Sequence, residues 1–402
     1  MIHAGGQRRL RAGTQYVLYN LLGSTLFLFA LGTIYAETGT LNMADLAMRV
    51  ATLDAGDGAG IRVAAVLLLL VFAVKAAILP LHFWLPASYS EAPAPVAALF
   101  AIMTKVGAYC IIRFYTLVFP PDLEITQGLF DVWLMPAALL TVALGMAGVL
   151  GAKRADRMVA FSVIGSMGML LAAVSVFTPA GISAALYYAI HSTFAAAALF
   201  LLIDVIRSRR GAAEVSFVDA PPLAGGALVA GMFFVAAIAM TGLPPLSGFL
   251  GKLLILDAAR SADLMWWVWG VILVGSLIAV VGFSRAGSQI FWKAHQSAPE
   301  PAEGDEAPVE AEGQGVLPMV AIGGLLALLV ALTVAAGPMT RVLNATAAQL
   351  FNPERYLAVV LTTPGKEITD HHAEDDQGDA EGSADATEDH GAEDAAAPEK
   401  DH

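Results

Sequence analysis

Long apolar runs dominate the hydropathy pattern of this chain. Nine stretches of membrane-spanning length, separated by short polar segments, follow one another between positions 16 and 340. Because an α-helix rises 1.5 Å per residue, about 20 apolar residues cross the hydrocarbon core of a bilayer. The pattern predicts nine transmembrane helices, at roughly 16–36, 62–82, 95–119, 129–151, 158–177, 182–206, 226–256, 264–290 and 316–340.

Two of the nine runs are interrupted by prolines. The second leads into LPLHFWLP at 79–86, and the seventh contains TGLPPLSG at 241–248. Proline removes a backbone donor and disrupts a helix, and a bilayer tolerates the freed backbone groups only where protein or a water-filled cavity covers them. A pair of broken helices is typical of transporters. A simple proline kink is the alternative at both places.

Composition agrees with a membrane protein and excludes a typical soluble enzyme. Apolar residues make up 57% of the 402 residues and charged residues 14%, against about 45–50% and 25% in soluble domains. Cys110 is the only cysteine, which excludes an intrachain disulfide and a thiolate metal cluster. The expected fold class is an all-α polytopic membrane protein.

The net charge of −13 is concentrated in two segments. Residues 366–402 hold fourteen acids and two lysines, and residues 300–312 hold six acids and no base, so the rest of the chain is positive. No basic surface for nucleic acid is indicated. Both acidic segments lack the apolar content to fold alone, and the tail histidines are better explained by a solvated tail than by a metal site. These are His371, His372, His390 and His402.

Basic residues lie mainly in alternate loops, which predicts the orientation. If the N-terminus is cytoplasmic, most loop arginines and lysines lie inside and only Arg49, Arg62 and Arg260 lie outside, which the positive-inside rule favours. An odd number of spans then places the C-terminus outside. The predicted organisation is a cytoplasmic segment 1–15, a membrane domain 16–341 containing an acidic cytoplasmic loop 297–315, and an acidic, disordered external tail 342–402.

Four ionisable residues lie inside the predicted spans: Lys75, Lys105, His191 and Lys252. A charged lysine at the bilayer centre costs about 2.5–3.5 kcal/mol on insertion scales, so such residues usually have a function. Burial and neighbouring charges poise an amine or imidazole to take and release a proton. The prediction is a proton relay with no cofactor or metal. Lys75 snorkelling to the interface and His191 as a neutral core histidine are the alternatives.

Several motifs around these residues resemble one known family. Segment 75–86, KAAILPLHFWLP, with EAPAPV at 91–96, resembles the antiporter-like subunits shared by respiratory complex I and multisubunit cation/proton antiporters. TKVG at 104–107, YAIHST at 188–193 and SGFLGKLLI at 247–255 narrow the resemblance to the D-type subunit of the Mrp and Pha antiporters. The resemblance extends over about residues 8–341.

The resemblance implies a role for each of the four residues. Such a subunit has fourteen helices, with one broken helix in each of two inverted five-helix repeats. Lys75 matches the broken-helix lysine that pairs with an acid on an earlier helix, Lys105 the central relay lysine, His191 the linking histidine and Lys252 the terminal lysine. Alanines at 195–197, where complex I subunits carry another lysine, favour the D-type antiporter subunit.

A second departure concerns the number of helices. The nine predicted spans correspond to the last nine of the fourteen, so the helix with the acidic partner of Lys75 is expected to be missing.

The function implied is that of a transporter subunit, not an enzyme. It would act in a bacterial plasma membrane with other antiporter subunits, exchanging Na⁺ or K⁺ for protons across the lipid bilayer. Two alternatives remain open: a proton-pumping membrane subunit of an NADH-quinone oxidoreductase, and a structural remnant that does not transport.

Overall fold

The computed structural model describes residues 6–53, 56, 58–220, 222–223, 225–293 and 316–363. Within these ranges the chain is helical, and its only β-type pairing is an isolated bridge between Arg154 and Ser216. The helices are α1 Gln7–Thr38, α2 Met43–Ala51, α3 Ala59–Ala76, α4 Trp84–Glu91, α5 Ala94–Leu117, α6 Asp131–Gly151, α7 Ala155–Ser175, α8 Pro179–Arg209, α9 Gly226–Thr241, α10 Ser247–Ala258, α11 Met265–Gly287, α12 Val316–Val334, α13 Ala336–Leu350 and α14 Glu354–Thr362.

These helices confirm an all-α polytopic membrane protein. Eight of the described helices are long and apolar enough to cross a membrane: α1, α3, α5, α6, α7, α8, α11 and α12. The seventh predicted span appears as α9 and α10, two shorter helices on either side of a break. All nine predicted spans therefore have a counterpart.

The first break is complete, and neighbouring groups satisfy part of the freed backbone. Ala77 adopts a left-handed conformation with φ 54° and ends α3. The backbone N–H of Leu79 then donates to Thr141 Oγ1 on α6 at 2.9 Å. The Trp84 indole N–H donates to the Val74 carbonyl at 3.0 Å. Because protein groups replace lost helical bonds, the interruption is stable inside the bundle.

The second break follows the same plan. Gly242, in the left-handed region with φ 77°, ends α9, and the helix resumes as α10 at Ser247. The N–H groups of Gly242 and Leu243 both donate to the Ile238 carbonyl, each at 3.1 Å, which closes the end of α9. A simple proline kink is therefore excluded at both places.

Helix α7 lies in the centre of the bundle. All of its residues from Ala155 to Val174 are buried except Arg157 and Phe161. It packs against α4, α5, α6, α8, α10 and α11, and α8 in turn packs against α5, α9, α10, α12 and α13. Buried alanines on α8 allow this close packing, as small residues do between membrane helices. The arrangement places α5, α8 and α10 side by side.

The two ends of the described bundle differ from the predicted boundaries. Helix α1 begins at Gln7, inside the predicted segment 1–15, and the last span ends at Val334 and is followed by α13 and α14. Helix α13 packs against α8, and the Arg113 guanidinium lies 4.3 Å from the centre of the Tyr356 ring on α14. The acidic stretch 300–312 and the tail from 364 onward, with its histidines, lie outside the described residues.

Candidate functional site

Lys252 is held at the second break by two hydrogen bonds. Its side chain on α10 is buried, with the residue 5% exposed. The ammonium donates to the Thr241 carbonyl at 2.5 Å and to Ser276 Oγ on α11 at 2.8 Å. Carbonyls at a helix C-terminus carry partial negative charge and favour a cation. The break therefore supplies an electrostatic site for this lysine at the end of α9.

Gly242 makes room for the Lys252 side chain. A Cβ atom at this position would lie 2.6 Å from Lys252 Cδ, 2.7 Å from Cε and 2.9 Å from Nζ. The positive φ of Gly242 also disfavours any larger residue. Two independent constraints thus require glycine here.

His191 lies on α8 and contacts the start of α10. The residue is 0% exposed, and its Nδ1 shares a hydrogen bond of 2.9 Å with Ser247 Oγ. Its Nε2 has no hydrogen-bond partner among the described residues. A Cβ atom on Gly248 would lie 2.9 Å from Nε2 and 2.0 Å from the Ala239 carbonyl, so glycine permits this approach. One ring nitrogen is thus fixed by a hydroxyl, and the other lies near the Ala239 carbonyl without a well-formed hydrogen bond.

Lys105 is a buried amine without a hydrogen-bond partner among the described residues. The residue on α5 is 7% exposed, and its Nζ makes no hydrogen bond within the described structure. It lines a mainly apolar cavity of about 350 Å³ between α5 and α8. An isolated buried ammonium is strongly disfavoured, so this amine must be hydrated or neutral for part of the time. The cavity is lined by Ile102, Lys105, Val106, Ala108, Tyr109, Ile112, Leu170, Ala185, Leu186, Ala189, Ile190, Thr193 and Phe194.

The tertiary structure brings three of the four predicted residues together. His191 is close enough to both Lys105 and Lys252 to interact electrostatically with each. The unsatisfied atoms, Lys105 Nζ and His191 Nε2, are groups that buried water bridges in proteins. Titratable groups linked by water transfer protons. The geometry is thus suited to moving a proton between α5, α8 and α10.

Lys75 has a different environment from the other three. It lies in the last turn of α3, half-buried, and its Nζ donates to Asn20 Oδ1 on α1 at 2.5 Å. It makes no ion pair with any described residue. The hydrogen bond to the Asn20 side-chain amide directs the Lys75 amine to α1 rather than to the membrane interface, which argues against snorkelling. The first break thus holds its lysine with a neutral partner.

Sequence reasoning did not assign the partners of these residues. Asn20, Ser247 and Ser276 each contact one of the predicted side chains. Asn20 and Ser276 are isolated polar residues inside apolar runs, and Ser247 closely follows the two adjacent prolines of the second break. Polar residues inside membrane helices commonly bond across helices, which was the available signal. Which lysine or histidine each one contacts depends on the packing.

The described residues contain no group of three or more His, Cys, Asp or Glu side chains that would hold a metal ion. The fold and the site together define a polytopic helical membrane protein with two broken spans and buried ionisable groups around them, an architecture found in transporters.

The chain belongs to the family described as NADH:quinone oxidoreductase/Mrp antiporter, transmembrane, whose model matches residues 1–279.

Curated relatives support a more specific likeness. The chain is 37% identical over 368 residues to the D subunit of the Na⁺/H⁺ antiporter of Bacillus subtilis (strain 168). It is 34% identical over 398 residues to the D subunit of the probable K⁺/H⁺ antiporter of Rhizobium meliloti (strain 1021). In both comparisons the match includes 90% of this chain and 70% of the relative.

Solved structures share the fold. A chain in the structure of the Mrp complex from Dietzia sp. DQ12-45-1b is 28% identical, with a TM-score of 0.73, and the match includes 88% of this chain and 70% of that one. A chain of respiratory complex I from Thermus thermophilus is 24% identical, with a TM-score of 0.68 over 87% of this chain and 71% of that one. The latter likeness concerns the fold alone.

Proposed function

We propose that this chain is a D-type subunit of a multisubunit antiporter that exchanges Na⁺ or K⁺ for protons. The names of the relatives from Bacillus subtilis and Rhizobium meliloti, both of them D subunits, support this assignment. The proposal includes other antiporter subunits as partners, a bacterial plasma membrane as the location and a cytoplasmic N-terminus, consistent with the distribution of basic residues. Protons would pass through this chain by way of Lys75, Lys105, His191 and Lys252.

The observation that carries the proposal is the clustering of three buried ionisable groups from three helices. Like charges repel strongly in a low-dielectric interior. Protonation of one member therefore makes protonation of its neighbour more costly, and a proton arriving at Lys105 favours release from Lys252. His191, between them, accepts the proton on one ring nitrogen and passes it through water or a hydroxyl.

In this scheme, a different environment controls proton transfer at each of the two broken helices. Lys252, bonded to Thr241 and Ser276, releases its proton at the second break. Lys75, bonded to Asn20, is the member at the first break, where an electrically neutral partner leaves its charge unbalanced. A nearby carboxylate would hold the charged form more strongly. Lys75 is therefore a point at which an approaching anion would control proton entry.

Lysine replacements test the relay directly. Lys105→Ala and Lys252→Ala are each expected to abolish cation-dependent proton movement in vesicles containing the assembled complex. Lys105→Arg and Lys252→Arg are also expected to fail, because a guanidinium keeps its proton at ordinary pH. Lys293→Ala, which replaces an exposed lysine beyond α11, is the matched control. Near-normal exchange by both arginine variants would show that the lysines are fixed charges and not proton carriers.

Purification of the intact complex tests the proposed partners. Tagged chain solubilised in mild detergent is expected to bring down sister antiporter subunits. Recovery of iron–sulfur and quinone-site proteins in their place would assign the chain to an oxidoreductase.

A further inference from the structure

A basic pocket lies at the end of the bundle where α1 and α7 begin and where α4 and α6 end. Its volume is about 620 Å³. A second pocket of about 380 Å³ shares Arg8, Glu91 and Arg154 with it, so the polar region is continuous. The larger pocket is lined by Arg8, Glu91, Gly148, Gly151, Ala152, Lys153, Arg154, Arg157 and Phe161. None of these residues belongs to the proposed relay.

One of the bases in this pocket is already neutralised. The Arg154 guanidinium donates to Asp156 at 2.8 Å and to Glu214 at 3.0 Å. These carboxylates, Asp156 first, raise the pKa of Arg154 above its already high value. Arg154 is therefore a permanently charged part of the pocket wall, held in place by its two acids.

The remaining charges leave the pocket positive. Arg8, Lys153 and Arg157 form no ion pair with any described residue, whereas Glu91 is the only acid among the lining residues. Three unpaired bases against one acid give an excess of two positive charges. A phosphate group matches such a site, because arginine binds phosphate through paired hydrogen bonds and lysine binds it as a point charge.

The other wall of the pocket is apolar. Gly148 and Gly151 lie in the last turn of α6, Ala152 directly follows it, and Phe161 lies two turns into α7. The Phe161 ring packs directly over Gly148, where a Cβ atom would lie 2.2 Å from the ring. Both α6 and α7 are membrane-spanning helices, so their ends lie near the headgroup layer of the bilayer. An occupant with both a phosphate and an apolar portion would contact both walls.

We propose that this pocket binds an anionic phospholipid, with its phosphate among Arg8, Lys153 and Arg157 and its glycerol and acyl portion along Gly148, Gly151 and Phe161. Basic pockets between membrane helices recognise anionic headgroups in this way. The bound lipid would connect the start of α1 to the α6–α7 hairpin. This role is separate from the proton relay and does not depend on the proposed transport activity.

Native mass spectrometry of the purified complex tests the site. Delipidated complex is incubated with phosphatidylglycerol or with phosphatidylcholine, and retained lipid is counted. The variant R8Q/K153Q/R157Q is compared with R62Q/R260Q/R341Q, which removes three bases that do not line the pocket. The first variant is expected to retain phosphatidylglycerol about a hundredfold more weakly than wild type, from about 1 kcal/mol per basic residue near the surface. The control variant is expected to match wild type.

Two results would overturn the proposal. Equal retention of phosphatidylglycerol by both triple variants would show that the pocket is not its site. Displacement of the lipid by millimolar inorganic phosphate would identify the site as one for free phosphate. A thermal melt of each complex shows whether it is folded, and stabilisation of wild type but not of R8Q/K153Q/R157Q by phosphatidylglycerol is expected as independent support.

Discussion

Two contacts fix the Lys252 ammonium at the second break, and a single glycine makes them possible. The amine reaches Thr241 and Ser276 only because Gly242 carries no side chain in its path. Chemical identity at position 252 is therefore not sufficient for the site. The backbone conformation at position 242 decides where the charge lies.

At the residue scale, we predict that Gly242→Ala abolishes transport while the protein remains folded. A left-handed alanine costs about 1–2 kcal/mol, and its Cβ displaces Lys252 from both hydrogen-bond partners. Cation-dependent proton movement in vesicles is expected to fall about a hundredfold or more, the effect of losing a positioned proton carrier. Fluorescence of a pH-sensitive dye measures it.

Gly231→Ala is the matched control for this prediction. Gly231 lies in α9, the helix that Gly242 ends, and a Cβ atom there would have nothing within 4 Å. Alanine at this position is expected to leave transport unchanged and to stabilise α9 slightly. Equal transport by the two variants would contradict the positioning role of Gly242.

At the scale of elements, the broken helices are stable because other helices replace their lost hydrogen bonds. Thr141 on α6 is the clearest example, since its hydroxyl accepts from Leu79 at 2.9 Å and donates to the Ala137 carbonyl at 2.6 Å. The residue is completely buried. A side chain from a later helix thus holds the first break in shape.

We predict that Thr141→Val destabilises the assembled protein by about 1–3 kcal/mol, the cost of leaving a buried N–H without a partner. Valine keeps the shape but cannot accept the Leu79 hydrogen bond. The measurement is the thermal unfolding temperature of the complex in detergent.

Thr33→Val provides the comparison, because in the described part of the chain the Thr33 hydroxyl bonds only the Phe29 carbonyl of its own helix. Little change is expected for that variant. If both valine variants unfold at the same temperature, Thr141 does not support the break.

At the scale of the whole molecule, an ion network centred on the buried Asp156 carboxylate joins helix ends at one end of the bundle. Asp156, at the start of α7, accepts from Arg154 at 2.8 Å and from Arg207, near the end of α8, at 3.0 Å. Arg154 also reaches Glu214 in the following loop. The network therefore connects segments that lie far apart in sequence.

We predict that Asp156→Asn lowers the free energy of unfolding by about 2 kcal/mol, the order expected for hydrogen bonds to charged groups. Two arginines lose their buried counter-charge in this variant. Asp257→Asn is the control, since Asp257 and Arg260 form an exposed pair, which contributes little. Chemical unfolding of both variants measures the difference, and equal stability would show that the network contributes nothing.

The acidic tail, unlike the ion network, is expected to contribute little to the protein. Deleting residues 366–402 should leave transport within about twofold of wild type, because a sequence so rich in mutually repelling acids lacks the apolar content to fold alone. Cation-dependent proton movement by the assembled deletion variant checks this. Complete loss of activity in a stably assembled complex would show that the tail participates in transport.

The sequence by itself determined the class of fold and the residues to examine. Apolar runs set by bilayer thickness predicted the nine spans. The prolines and glycines at 79–86 and 241–248 predicted both breaks, because proline removes hydrogen bonds that a helix needs. The cost of burying charge singled out Lys105, His191 and Lys252. All of these signals are local in the sequence, so they can be recognised without knowing how the helices pack.

Only the tertiary structure decided which groups meet. Hydropathy cannot predict which helices are neighbours, because a lipid-facing leucine and a buried leucine are indistinguishable in the sequence. The pairing of Lys75 with Asn20, of His191 with Ser247 and of Lys252 with Ser276 depends on helix rotation and contact across the bundle. Clustering of the three relay residues likewise comes from the packing of α5, α8 and α10. A charged residue inside a membrane span can be identified from the sequence, but its partners depend on which helices are in contact.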